Sequence, residues 1–284
     1  MSERYIDLHV HSTVSDGTVP PEALPALAVK THLAAIALTD HDTVEGVPAF
    51  LQAAQGLPLE AISGIELSGW YDDRVEIHIV GLYVDPAAPV LARIAQRRKA
   101  ARLERNRAMA QKLTEIGLPL TYEELCREAS GSIITRAHYA RLMIRKGYVK
   151  DRDEAFHKYI SPGLPGYVAQ KLLGPEGCVK AIVEAGGVPI LAHPTLYHLS
   201  LDELRALCRR LMPLGLMGIE ARYSMYSEAQ QKQMTALGNE LGLLLSGGSD
   251  FHGDNKPGNL LGYGKGNLRV PYEFLEKIKA ACGK

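Results

Sequence analysis

The sequence predicts an alternating α/β fold: a parallel sheet, open or closed into a barrel, interrupted by an all-helical insertion. Three observations lead there. Seven short apolar runs have the length and composition of buried strands, and helix-like runs lie between several of them. Several of the strand-like runs end in clusters of His, Asp or Glu, and the carboxyl ends of strands are where α/β barrels carry their chemistry. A long middle stretch has helical patterning with no strand pattern inside it.

In order, Ile6–His9 reads as the first strand, and Pro21–Thr31 as a helix whose opening Pro20-Pro21-Glu22 suits a first turn. The strand Ala35–Thr39 precedes an Ala-rich helix, Val44–Gln55, and then come two strands, Leu59–Ile65 and Val75–Val84. Val90–Ile116 is a long helical pattern rich in Arg, Lys and Ala, followed by shorter helices at Tyr122–Ala129, Arg136–Lys146 and Arg152–Tyr159. Ser161-Pro162-Gly163-Leu164-Pro165-Gly166 has the turn chemistry of a returning linker. The strands Val188–Ala192, Met217–Glu220 and Leu243–Ser246 then alternate with helices at Gly174–Ala185, Leu201–Leu211, Ser227–Leu241 and Pro271–Ala281. The expected organisation is a first barrel segment over 1–99, a helical insertion over 100–170 and a second barrel segment over 171–284.

The formal net charge is zero, which gives no general attraction to nucleic acid or membrane. It hides an asymmetry. Residues 91–170 hold 16 Lys and Arg against 8 Asp and Glu, and the rest holds 16 against 24. An acidic body with a basic middle suits a metal site facing a phosphate-rich ligand, although many of these charges read equally well as a solvated helix face. The four cysteines are scattered without a CxxC pair, so neither a disulfide framework nor a zinc ribbon is expected. With no signal peptide and no long apolar span, a cytoplasmic location without membrane attachment is expected. No protein partner is predicted.

Six of the ten histidines stand in polar-ended motifs. A strand sends alternate side chains to one face, so His9 and His11 deliver two imidazoles to one point. Asp16 follows in a Ser15-Asp16-Gly17 turn, which is either turn chemistry or a ligand. His41 ends an apolar strand, flanked by Asp40 and Asp42, which fit partners that orient imidazoles or a helix cap. Glu66 ends the run Ile62–Ile65 and suits a carboxylate bridging two ions. His78, His193, Asp250 and His252 complete the set. One lone histidine would be unremarkable; six at strand ends beside carboxylates point to a multinuclear metal site. His32, His157 and His198 read as ordinary surface or cap residues. Gly248-Ser249-Asp250-Phe251 lacks the final glycine of a nucleophile elbow, and neither a phosphate-binding loop nor a dinucleotide fingerprint is present.

Taken together, Ile6-Asp7-Leu8-His9-Val10-His11-Ser12, Ser15-Asp16-Gly17, Ala37-Leu38-Thr39-Asp40-His41-Asp42, Gly64-Ile65-Glu66, Ile77-His78-Ile79-Val80-Gly81, Ala192-His193-Pro194 and Gly248-Ser249-Asp250-Phe251-His252 resemble the PHP (polymerase and histidinol phosphatase) family of metal-dependent phosphoesterases. Asp at position 16, where many members have His, resembles the branch of nucleoside-bisphosphate phosphatases and RNase AM-type exoribonucleases. The resemblance implies a distorted (β/α)7 barrel with a helical insertion over the active site, and three divalent ions, usually Mn²⁺, with Zn²⁺ or Fe²⁺ also suited to the donors. It implies His9, His11, Glu66 and Asp250 at the first ion. Asp16, His41 and His252 fall at the second, and Glu66, His78 and His193 at the third. Glu66, Asp250 and His252 are the expected catalytic residues. Thr135-Arg136-Ala137-His138 matches a substrate-phosphate element, so Arg136 and His138, with Lys256, are the expected substrate contacts.

The implied activity is hydrolysis of small phosphorylated nucleotides, such as 3′,5′-nucleoside bisphosphates or mononucleotides, by a metal-activated water. The alternatives are 5′-to-3′ exoribonuclease action on RNA or short oligonucleotides and histidinol-phosphate phosphatase action. A non-catalytic metal-binding module is disfavoured because all nine ligand positions are filled.

Overall fold

The computed structural model describes residues 4–71, 75–129, 134–169 and 173–283. The chain divides into two compact units, Met1–Ala95 with Leu172–Lys284, and Gln96–Lys171. The expected boundary between residues 170 and 171 lies outside the described residues.

All seven expected strands are present in the first unit: β1 (Tyr5–Val10), β2 (Leu33–Leu38), β3 (Glu60–Tyr71), β4 (Val75–Leu82), β5 (Val188–Leu191), β6 (Gly218–Tyr223) and β7 (Leu244–Gly248). A two-residue β8 (Val270–Pro271) is added at the edge, and the sheet order is β7-β6-β5-β4-β3-β2-β1-β8. The sheet nearly closes on itself. Asp250 N donates to His9 O and His11 N to Phe251 O, each at 2.9 Å, so the segment after β7 bonds to the end of β1. Gly248 permits this approach, since a Cβ there would lie 2.3 Å from His9 Cβ.

The expectation of a parallel sheet is corrected at β4, which runs antiparallel to both β3 and β5. Only three residues separate β3 from β4, too few for a crossover, so the pair can only be a hairpin. The pairs β1–β2, β2–β3, β5–β6 and β6–β7 are parallel. Helices α1 (Leu24–Lys30), α2 (Val47–Ala53), α7 (Pro175–Glu184), α8 (Leu201–Leu211), α9 (Glu228–Leu241) and α10 (Tyr272–Cys282) belong to the same unit. Ser200 with Glu203 and Ser227 with Gln230 form capping boxes that satisfy the first free N–H groups of α8 and α9. Ile6, Leu8, Ile65, Ile79, Ile190 and Ile219 are buried in one core, and the same strands bury the polar Asp7, His9, Glu66 and Glu220.

The division between units falls within α3 (Pro89–Glu115). The second unit also holds α4 (Tyr122–Ala129), α5 (Arg136–Arg145) and α6 (Arg152–Ala155), the last continued by a π-helical turn, Phe156–Ile160. It has its own core around Met109, Leu113, Leu125, Tyr139, Leu142 and Ile160, and the Tyr139 hydroxyl donates to Asn106 O at 2.6 Å. Among the described residues, no helix is long and apolar enough to cross a membrane.

Candidate metal centre

At one mouth of the barrel the strand ends converge. β1 projects Asp7, His9 and the following His11 to one side by its period of two. His41 follows β2 and bridges to Glu66 on β3. His78 lies in the first half of β4, which reaches the mouth because that strand is reversed. His193 follows β5, and Asp250 and His252 follow β7.

Glu66 is the centre of the arrangement and is fully buried. Its Oε1 lies 2.9 Å from His78 Nδ1 and 3.0 Å from His193 Nε2. Its Oε2 lies 3.2 Å from His9 Nε2, 3.3 Å from His11 Nε2 and 3.0 Å from His41 Nδ1. Asp250 Oδ1 lies 3.2 Å from His11 Nε2 and 3.7 Å from His9 Nε2. On the solvent side, Asp16 approaches His252 Nε2 at 3.1 Å, His11 Nδ1 at 3.8 Å and His41 Nε2 at 3.9 Å.

All nine side chains expected as ligands therefore meet at this mouth. They fall into four overlapping groups whose donor atoms lie within 4.8 Å of one another: His11, Asp16, His41 and His252; His9, His11 and Asp250; His9, Glu66 and His193; and His41, Glu66 and His78. The grouping overlaps more than the resemblance implies, because His9, His11 and His41 each serve two groups.

The electrostatics follow from this crowding. Burial alone would raise the Glu66 carboxyl, but the His9, His41 and His78 rings hold it well below the usual range. Burial would likewise raise Asp250, and His11 and His9 hold it well below. Burial lowers His11, yet Asp250 and Glu66 push it up to about 9. His78 rises to about 10, its burial outweighed by Glu66 and Glu76. His41 falls to about 3, because burial dominates and Glu66 offsets it only in part.

The site passes a physical test for metal. His9 Nε2, both nitrogens of His11, His41 Nδ1, Glu66 Oε2 and His193 Nδ1 are buried without a hydrogen-bond partner. Each such atom costs about 1–3 kcal/mol if left unsatisfied. The donor set is imidazole nitrogen and carboxylate oxygen with no thiolate, which fits Mn²⁺, Fe²⁺ or Zn²⁺. Two of the strand-end residues, His193 (φ 27°) and Asp250 (φ 54°), occupy backbone conformations that residues with a Cβ seldom adopt.

Beyond the expected nine, the structure adds residues that the sequence reading did not single out. Glu220 is buried, with Oε1 2.8 Å from His9 Nδ1 and Oε2 accepting from His193 N at 2.6 Å. The Tyr223 hydroxyl donates to Asp250 Oδ2 at 2.6 Å. Tyr197 accepts from His78 N at 2.9 Å and donates to Ala192 O at 2.5 Å, clamping β4 to β5 beside both histidines. Asp7 accepts from Ser249 N, Ser249 Oγ and Gly262 N at 2.8, 2.5 and 2.8 Å, tying β1 to the loop after β7. Burial pushes the Asp7 carboxyl up to about 6 against these four-way donations, His9 N included.

Of the expected substrate contacts, Lys256 stands at the mouth, its Nζ 2.6 Å from Asp250 Oδ2. Arg136 and His138 belong to the second unit. There Arg136 lies over the rings of Phe156 and Tyr167, and His138 Nδ1 accepts from Thr135 N at 2.9 Å in the capping box of α5. Asp40 does not orient an imidazole: it accepts from Ser12 N, Ser12 Oγ and Ser15 Oγ at 2.7, 2.6 and 2.6 Å and so shapes the loop that carries Asp16.

Comparison with known proteins gives the family. A family model described as "PHP domain" matches residues 7–159, more than half of the chain. The chain is 35% identical over 260 residues to the 3′,5′-nucleoside bisphosphate phosphatase of Chromobacterium violaceum, covering 91% of this chain and 90% of that one. It is 34% identical over 248 residues to the 5′-3′ exoribonuclease Rnm of Salmonella typhimurium, covering 87% and 84%. The structure of a candidate metal-dependent phosphoesterase from Bifidobacterium adolescentis superposes with a TM-score of 0.77 at 27% identity, covering 98% of this chain and 96% of that one. Fold and site together define a metal-dependent hydrolase of phosphoric esters. The chain belongs to the PHP family.

Proposed function

We propose that the protein is a phosphatase of small phosphorylated nucleotides, with 3′,5′-nucleoside bisphosphates as its leading substrates. The observation that carries the reading is the divided carboxylate of Glu66, which turns one oxygen to His78 and His193 and the other to His9, His11 and His41. A carboxylate shared in this way suits a bridge between neighbouring ions. In this reading His9, His11, Glu66 and Asp250 hold one ion, Asp16, His41 and His252 a second, and Glu66, His78 and His193 a third. Manganese is the metal assigned.

When bound, such ions offset the charge of a phosphate ester and bring the pKa of an attacking water toward neutrality. The protein's own groups do the rest. Glu66, Asp250 and His252 are the catalytic residues, held by burial in fixed positions. Lys256, whose side chain is 45% exposed, offers a cation to an incoming phosphate beside Asp250. Ser249 is fully buried and its hydroxyl, with its backbone N–H, ties the loop after β7 to Asp7, so it is read as structural rather than as a nucleophile.

The phosphatase relative supports the bisphosphate as substrate, and the exoribonuclease relative, with the basic residues of the second unit, supports RNA as the competing one. Manganese-loaded protein incubated in parallel with adenosine 3′,5′-bisphosphate and a 5′-phosphorylated RNA oligomer separates them. Preferential phosphate release from the bisphosphate is expected; processive release of mononucleotides from the oligomer would replace this reading with an exoribonuclease.

A further inference from the structure

Strand β6 lies between β5 and β7 and ends at the mouth of the barrel, yet it supplies none of the nine ligands. What it supplies is Glu220, which is 1% exposed. We propose that Glu220 is a positioning residue of the metal centre: it fixes which nitrogen of His9 faces the ion and pins the turn that presents His193. The inference rests on the reading of His9 and His193 as metal ligands.

The chemistry of the two contacts is one-directional. An ionised carboxylate only accepts hydrogen bonds, so the 2.8 Å contact of Oε1 with His9 Nδ1 requires the ring proton on Nδ1. With an ion bound, His9 Nε2 would then offer it a lone pair; the atom is buried, 3.2 Å from Glu66 Oε2 and 3.7 Å from Asp250 Oδ1. The other oxygen accepts the His193 backbone N–H at 2.6 Å. His193 has φ 27° and ψ 52° and immediately precedes Pro194, a combination that needs an external restraint to persist. One side chain on β6 thus sets the tautomer of a residue on β1 and the backbone of a residue after β5. Partners of this kind typically change metal affinity by about 10–100-fold when removed.

Glutamine at this position separates positioning from mere packing. Glu220→Gln keeps the shape but offers one acceptor oxygen to two donors. If that oxygen stays on the His193 N–H, the amide donates to His9 Nδ1 and drives the ring proton onto Nε2. If it stays on His9, two N–H groups face each other at His193.

The test titrates Mn²⁺ calorimetrically into chelator-stripped wild type, Glu220→Gln and Glu220→Ala, with thermal melts of the metal-free proteins. Imidazole nitrogen NMR of zinc-loaded wild type, with His9 assigned against His9→Gln, reads the tautomer without any change at Glu220. Affinity about 10–100-fold weaker in the variants, a metal-free melt of Glu220→Gln close to wild type, and a proton on His9 Nδ1 are expected. Unchanged Mn²⁺ affinity in folded Glu220→Gln, or a proton on His9 Nε2 in wild type, would overturn the inference while leaving the metal centre standing. A wild type that binds no Mn²⁺ would overturn the ligand reading itself. If neither variant folds, the wild-type spectrum decides alone.

Discussion

Replacing Glu66 by Gln removes one negative charge from the point where five imidazoles converge. The five nitrogens lie 2.9 to 3.3 Å from its two oxygens, and the side chain is fully buried. Removing one partner of a buried charged cluster costs about 3–5 kcal/mol. Gln keeps one oxygen and the same shape, so the lower end applies, about 3 kcal/mol. At about 1.4 kcal/mol per decade this is roughly a 100-fold loss in affinity. Because each oxygen faces a different set of histidines, the loss falls on two ions together. Equilibrium dialysis against Mn²⁺ with elemental analysis reads the content, and phosphate release from adenosine 3′,5′-bisphosphate reads the activity. Fewer bound ions at sub-saturating Mn²⁺ and a collapse of turnover are expected. Wild-type turnover at unchanged metal content would refute the bridging role.

Other perturbations test other parts of the molecule. Chelation should abolish turnover and lower the melting temperature by roughly 5–10 °C for each ion lost, since one ion at about 100 times its Kd contributes about 2.7 kcal/mol; an unaltered melt would mean that the buried donors do not bind metal. Gly248→Ala places a methyl 2.3 Å from His9 Cβ and 2.5 Å from His9 N, and should cost about 3 kcal/mol by forcing β7 from β1, read as a fall in thermal stability. Glu60 accepts from Lys279, Tyr272 and Tyr83 at 2.9, 2.8 and 3.1 Å; burial raises its carboxyl, but Lys279 and Tyr272 outweigh that and hold it below its ordinary value of 4.5. Its folded pKa is depressed, so its contribution is complete above the unfolded value and disappears as pH falls through the folded one. Glu60→Gln should therefore lose about 1 kcal/mol near neutrality, after allowance for solvent screening, and the gap from wild type should close in acid below 4.5. A gap that widens in acid would show that the ion pair is not its source.

The strands were legible because their apolar runs are short and bounded, and most of the nine candidate ligands because they sit where those runs end, His78 inside a strand and Asp16 in a loop being the exceptions. Where the sequence reading stopped short, tertiary contacts had outweighed local preference. The third strand was expected to finish at Ile65, since Ser68 and Gly69 are weak strand formers, yet β3 continues to Tyr71. Its extension pairs with β4 along its whole length, and Gly69 is needed because a Cβ there would come within 2.9 Å of Leu173 O. The reversal of β4 was hidden by the same early stop, which left a gap that looked long enough for a loop. Thr135-Arg136-Ala137-His138 illustrates the opposite difficulty, in that a motif suggestive of phosphate also serves as a capping box, a role that any helix start can have.

The orienting residues were harder to see for a reason built into β6. Glu220 and Tyr223 are three apart, so a regular strand would send them to opposite faces. The register of β6 against β7 shifts between Glu220 and Arg222, and that irregularity turns both toward the mouth. A bulge leaves no mark in hydrophobic alternation, so Tyr223 was beyond reach of the pattern. Glu220 was not: it ends an apolar strand as Glu66 does, and the same rule applied to it would have marked a functional carboxylate. The rule cannot say whether such a carboxylate binds an ion or orients a ligand. That distinction lies in what its oxygens meet, five imidazole nitrogens around a shared centre for Glu66 and a ring nitrogen with a backbone N–H for Glu220, which only the folded chain supplies.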